Sequence, residues 1–182
     1  MPPGGWQQPI PRASAFSAGF VLAGWGSRVG ATMIDVLILA LVSAVLIAPG
    51  VVVTFVTDIP GLGIALWLLG ALVVTIVALL YASYFMQRDG ARNGQTPGKQ
   101  ALGIRVAFPD GRRVDWGQAL LRELVIKGLL LGVAGAIASV VTFFLFGLGF
   151  AIPYILDYLW PLWDEENRAV HDMIVNTRVI KS

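Results

Sequence analysis

Thirteen lysines and arginines are spread over a chain of 182 residues, and two long stretches contain none of them. No basic residue occurs between Val29 and Gln87, and none between Gly128 and Asn167. The first gap holds ATMIDVLILALVSAVLIA and IALWLLGALVVTIVALLYASYF, separated by the turn-rich PGVVVTFVTDIPGLG, whose only charge is Asp58. Each apolar run approaches the ~20 residues that carry a helix across ~30 Å of hydrocarbon. The second gap is nearly continuously apolar from Leu124 to Trp163, too long for one crossing. The glycines of FGLGF predict a tight turn between two helices near Gly147 to Gly149, with a kinked, re-entrant element as the alternative.

Composition agrees. The chain is 57% hydrophobic and 13% charged, with mean hydropathy +0.76, against about 45–50% and about 25% in soluble domains. The expected fold is therefore an all-α membrane protein with four transmembrane helices in two hairpins and a small cytosolic β element. The spans are expected at about 29–48, 64–86, 120–143 and 147–163, with a cytosolic loop at 87–119. All basic clusters then fall on one side of the bilayer, which the positive-inside rule assigns to the cytoplasm together with both termini. Trp25, Trp116, Trp160 and Trp163 lie near that boundary, where indoles anchor.

Residues 1–23, rich in Pro, Gly, Ser and Gln, read as a disordered cytosolic tail without the pattern of a secretory signal. The membrane domain is expected over 24–180. In the middle loop, Ile104 to Phe108 reads as a strand, PDG as a turn, and Arg112 to Val114 as a returning strand. NTRVIKS near the C-terminus supplies a third.

Several function classes drop out. Without cysteine there is no disulfide or thiolate metal site, and the single His171 cannot build a metal site. Neither a metal nor a cofactor is expected. A net charge of +2 does not predict nucleic-acid binding. No nucleophile, base and orienting group occur together, so no enzyme is expected. GQTPGKQ is not a phosphate-binding loop: three residues separate Gly94 from Gly98, and Gln100 follows Lys99 where Ser or Thr is needed. DGAR, from Asp89 to Arg92, lacks the spacing and paired aspartates of a CDP-alcohol phosphotransferase motif.

Three segments in order around the apolar hairpins, AGWGSRVGATMID, NGQTPGKQALGIRV and NRAVHDMIVNTRV, resemble the RDD family of bacterial membrane proteins. The resemblance covers Gly24 to Ile180. The family is named for one arginine and two aspartates, which match Arg28, Asp35 and Asp172. It implies a bacterial inner-membrane location and transport of some ligand, with sodium/proton exchange proposed for some members.

The buried charges admit two readings. Asp35 lies seven residues beyond Arg28 on the same helix face, roughly 10 Å deeper. A carboxylate there costs about 2–3 kcal/mol to insert, so it needs a partner inside the bundle. Asp157 sits seven residues before Asp164, at a similar depth. In one reading the two aspartates form an ion or proton site with Thr32 or with carbonyls freed by Pro153. Proximity would then raise one pKa towards neutrality. In the other reading they belong to a structural ion-pair layer. Asp35 is then balanced by Lys127 or Arg122, and Asp157 is capped by backbone or tyrosine donors.

Arg28 serves as an anchor to lipid phosphates or as a member of the site. His171 and Asp172 fix the tail by hydrogen bonds or act as a pH-responsive gate. GLLLG, Gly128 to Gly132, is expected to let helices pack closely. Lys99, Arg105, Arg112 and Arg113 are expected to form a solvated or lipid-facing basic patch. The preferred function is a small transporter exchanging monovalent cations for protons through Asp35 and Asp157, as a homo-oligomer. The alternative is a non-transporting accessory or assembly subunit of a larger membrane complex. The bilayer is a partner in both.

Overall fold

A computed structural model describes residues 20–141 and 148–182. Helix α1, Trp25–Val56, and helix α2, Pro60–Met86, form an antiparallel hairpin. Only residues 57–59 join them, so α1 runs straight through the region read above as turn-rich, with Pro49 inside it. Proline inside a helix removes one backbone bond and kinks or ends the helix unless packing holds it. Here the packing is tight: a Cβ on Gly50 would lie 2.3 Å from the Trp67 backbone nitrogen, and one on Gly70 2.4 Å from the Leu46 carbonyl oxygen. Small residues at those positions let the two backbones touch, which drives helix association where lipid competes for apolar contacts.

The third long helix is composite. Helix α4, Trp116–Leu120, leads into a π-helical run, Leu121–Leu130, and then helix α5, Leu131–Val141. Asp115 caps its start by accepting from the Gln118 backbone N–H at 2.8 Å. Trp25–Val56, Pro60–Met86 and Trp116–Val140 are each long and apolar enough to cross a membrane. Most of the large apolar side chains on α1 and α2 point outward, the inverse of a soluble core and the arrangement expected in lipid.

The expected fourth span differs from these. A 3₁₀ turn at Leu148–Ala151, helix α6 at Ile152–Leu159 and a 3₁₀ turn at Trp160–Leu162 make one shorter helical piece, with prolines at 153 and 161. It folds back along α5, where a Cβ on Gly135 would stand 2.7 Å from the Phe150 carbonyl oxygen. The turn expected at Gly147 to Gly149 falls partly outside the described residues. The close approach is thus at Gly135 rather than at GLLLG. A Cβ on Gly128 would meet only its own helix, and one on Gly132 would stand at ordinary contact distance, 3.5 Å, from the Tyr154 hydroxyl.

At one end of the helices sits a polar cap. Strand β1, Ile104–Ala107, pairs antiparallel with strand β2, Arg178–Lys181, with Ile104 opposite Lys181 and Ala107 opposite Arg178. Leu22 and Ala23, assigned above to the tail, run along the other edge of β2: Leu22 bridges Ile180, and Ala23 N–H donates to the Val179 carbonyl at 2.9 Å. The strand expected at Arg112 to Val114 does not form. The edge of β1 it would have joined is taken by Gly94, whose carbonyl accepts from Val106 N–H at 2.9 Å. Asn93 holds Val114 instead, accepting from its N–H at 2.9 Å and donating to its carbonyl at 2.8 Å. Beneath the sheet lies the molecule's core: Met86, Ile104, Val106, Phe108, Val114 and Val179. The cap also includes helix α3, Pro97–Ala101, and helix α7, Val170–Ile174.

Candidate functional site

The charged residues that interrupt the apolar helices gather where those helices meet the cap. Asp172, in the first turn of α7, is fully buried. Its Oδ2 accepts from Arg28 Nη1 at 2.8 Å, and its Oδ1 from Arg122 at 2.6 Å (Nη2) and 3.2 Å (Nε). The Thr177 hydroxyl donates to it at 3.1 Å and the Ala169 backbone N–H at 3.4 Å. One carboxylate therefore joins α1, the π-helical run and the C-terminal segment. Burial alone would push its pKa up, but Arg122, His171 and Arg28 outweigh this and hold it well below the usual carboxylate range.

Arg122 spends every nitrogen. Besides Asp172 it donates to Glu123 from Nη1, and its Nη2 lies 2.8 Å from His171 Nε2. A guanidinium only donates, so His171 Nε2 accepts and the proton sits on Nδ1. That nitrogen lies 2.7 Å from Asp157 Oδ2, and His171 backbone N–H donates to Asp157 Oδ1 at 2.9 Å. His171 is a neutral imidazole bridging a carboxylate and a guanidinium. Burial lowers its pKa, opposed by Asp172 and reinforced by Lys127 and Arg122.

The folded state resists a proton that the unfolded chain takes up below pH 6.5, so stability is complete above that pH and is lost as pH falls. Asp172 acts in the same direction below 3.8. Thermal unfolding in detergent should therefore show a loss of at most about 1.4 kcal/mol per pH unit below the histidine's ordinary pKa. His171→Gln should flatten that slope.

Asp35 belongs to a different junction. Tyr81 on α2 donates to its Oδ1 at 2.9 Å, the Thr96 hydroxyl to its Oδ2 at 2.5 Å, and Gly98 N–H to its Oδ1 at 2.7 Å. The carboxylate thus sits at the start of α3 and docks that helix against α1. Neither Lys127 nor Arg122 reaches it. Lys127 instead pairs with Glu123 at 3.4 Å and stands 5.5 Å above the Tyr158 ring. Asp35 and Asp157 share no hydrogen-bond partner among the described residues. The Thr32 hydroxyl donates to Arg28 O at 3.1 Å and lies 3.4 Å from the Tyr158 hydroxyl.

Between the helix ends and the cap is a cavity of about 40 Å³. Arg28, Lys99, Arg122, Lys127 and His171 line it with the hydroxyl-bearing Thr32 and Tyr158, and among the described residues no acidic side chain does. Lys99, expected in a solvated patch, therefore faces inward, unlike the exposed Arg112 and Arg113, which pair with Asp110 and Asp89.

Of the residues in this assembly, Tyr81, Thr96, Gly98, Glu123 and Thr177 carried no functional reading in the sequence. A usable signal existed for one group. Thr96 followed by Pro97 is an N-cap and first-turn pair, and a short helix starting there must place its N–H groups against an acceptor.

No curated protein and no solved structure is significantly similar to the chain. The model of the RDD family matches residues 22–176, from the edge of the cap sheet through the three long helices to the turn before β2. Within that stretch lie Arg28, Asp35 and Asp172, the three charges that tie helices to cap, and the chain belongs to the RDD family.

Proposed function

We propose that the protein is a non-transporting accessory subunit of the bacterial inner membrane, with both termini in the cytoplasm and its charged layer acting as a clamp. The observation that carries this reading is the saturation of the candidate carboxylates. Asp35 accepts three hydrogen bonds and Asp157 accepts from two nitrogens of His171, all from the protein itself. A monovalent cation binds through oxygens that exchange for its hydration shell, and these oxygens are occupied by N–H and O–H donors. An exchanger also needs carboxylates that lose and regain protons at a shared site, whereas these two stand at separate junctions. In the membrane, α1 and α2 form one hairpin, and the third helix with the 148–162 piece forms the second. This arrangement leaves the basic loops and the cap on the cytoplasmic side.

Cation–proton exchange through Asp35 and Asp157 is the competing reading, and it requires a homo-oligomer to enclose a pathway. Proteoliposomes holding an interior pH dye, challenged with sodium, potassium or lithium gradients, separate the two. The clamp reading expects flux no greater than in protein-free vesicles. Cation-driven flux in the wild type that disappears in a folded Asp35→Asn or Asp157→Asn variant would establish the exchanger.

A further inference from the structure

The cavity at the junction of helices and cap has an electrostatic imbalance that the clamp does not explain. Four lysine and arginine side chains line it, and the carboxylates that compensate them, Asp172 and Glu123, lie behind the wall rather than in it. Arg122 and Lys127 are held by those acids. Lys99 is not: among the described residues it makes no ion pair, and only its backbone N–H takes part in a hydrogen bond of the cap, to the Thr96 hydroxyl. Arg28 is spent on one side only. Its side chain is 10% exposed, and its buried Nε and Nη2 have no hydrogen-bond partner, although Nη1 reaches Asp172. Buried guanidinium N–H groups left without acceptors are unfavourable, and an acceptor placed in the cavity would relieve them.

We propose that this cavity binds the phosphate group of an anionic ligand, with Lys99 and the unspent face of Arg28 as its principal partners. Phosphate chemistry fits better than a simple halide for three reasons. Arginine forks and lysine ammonium groups match tetrahedral oxyanions. The hydroxyls of Thr32 and Tyr158 offer neutral donors between the cations. A volume of about 40 Å³ admits a group of a few heavy atoms and exceeds the ~10–15 Å³ needed for one water. The position fits too, because basic pockets between transmembrane helices at the interface are where headgroup phosphates are met. Lys99 is the group most changed by occupancy. Burial, with Arg122 and Lys127 nearby, lowers it to about 8 against the opposing pull of Glu123, and an anion beside it would raise it again.

The phosphate has two possible sources, inorganic phosphate or an anionic phospholipid, and the experiment has an arm for each. Full-length protein in phosphatidylcholine nanodiscs is titrated with inorganic phosphate at constant ionic strength in chloride, with thermal midpoint and heat of binding as readouts. In parallel, the midpoint is compared between nanodiscs with and without phosphatidic acid. The variant is Lys99→Met, which keeps the apolar stem and removes no ion pair, so it is expected to fold. Lys99→Arg is the charge-retaining control.

Saturable stabilisation by inorganic phosphate, weakened about tenfold or more in Lys99→Met and kept in Lys99→Arg, supports the site with a free ligand. Stabilisation by phosphatidic acid alone, with the same dependence on position 99, supports it with a lipid ligand. No stabilisation of the wild type in either arm overturns the proposal. A response that Lys99→Met shares equally overturns it as well. The outcome is independent of ion flux, so it does not depend on the clamp reading.

Discussion

Asp172→Asn should destabilise the protein by about 3–5 kcal/mol, the range for removing one partner of a buried ion pair. The carboxylate is fully buried and serves Arg28 and Arg122 together. An asparagine keeps one acceptor oxygen but turns an NH₂ group towards a guanidinium, where two donors face each other without an acceptor between them. Both arginines would remain charged and enclosed, because a guanidinium does not give up its proton. Arg28 sits on α1, Arg122 on the π-helical run and Asp172 on α7, so the damage reaches all three elements. Unfolding in detergent, by heat or by a denaturing detergent titration, would read this loss directly. Arg28→Met should cost less, because Arg122 would still neutralise Asp172.

Gly98→Ala should be nearly as damaging although it adds one methyl group. The new Cβ would stand 2.1 Å from the Ala31 carbonyl oxygen and 2.9 Å from the Asp35 carboxyl. The first obstacle is helix backbone and cannot rotate away, so α3 must lift off α1. Lifting breaks the bonds from Gly98 N–H and the Thr96 hydroxyl to Asp35 and leaves the carboxylate with the Tyr81 hydroxyl as its remaining donor inside the bundle. Overpacking and the lost charge-assisted bonds together predict about 3 kcal/mol or more. Asp35→Asn in the same background should add little, because the two changes break one contact. Comparing thermal midpoints of both single variants and the double variant would check this.

How much of this could be read beforehand depended on whether one segment carried the information. The apolar runs at Ala31 and Ile64 announced α1 and α2 because length and hydropathy are properties of a single stretch. Strand β1 was legible from Ile104, Arg105 and Val106 for the same reason. Strand β2 was legible within NTRVIKS, but its direct pairing with β1 was not, because whether Val114 or Val179 lies alongside is decided by Gly94 occupying the far edge. The end of α1 was misjudged at Pro49, where local chain chemistry says stop and packing against Trp67 says continue.

Among the charges, Arg28, Asp35, Asp157 and Asp172 stood out because each breaks an apolar pattern or matches a family motif. Which of them meet was hidden. Asp35 binds residues some sixty positions away on a loop, and Asp157 binds His171 through α7. Lys99 looked solvated because its neighbours in sequence are polar, yet a single turn of α3 carries it inward. The glycines follow the same rule: GLLLG has the spacing of a packing motif, but what matters is the surface opposite, and Phe150 faces Gly135.

If the buried carboxylates hold the cap onto the helices, breaking them should open it, and the absence of native cysteine makes that opening easy to read. Ala23→Cys places one thiol at a fully buried position beneath the cap sheet, and a water-soluble maleimide reports whether the cap opens. In otherwise wild-type protein the thiol should stay protected. In Asp172→Asn and Gly98→Ala backgrounds it should label rapidly while the long helices remain intact by circular dichroism. Protection retained in both variants, or labelling already complete in the parent, would contradict the clamp.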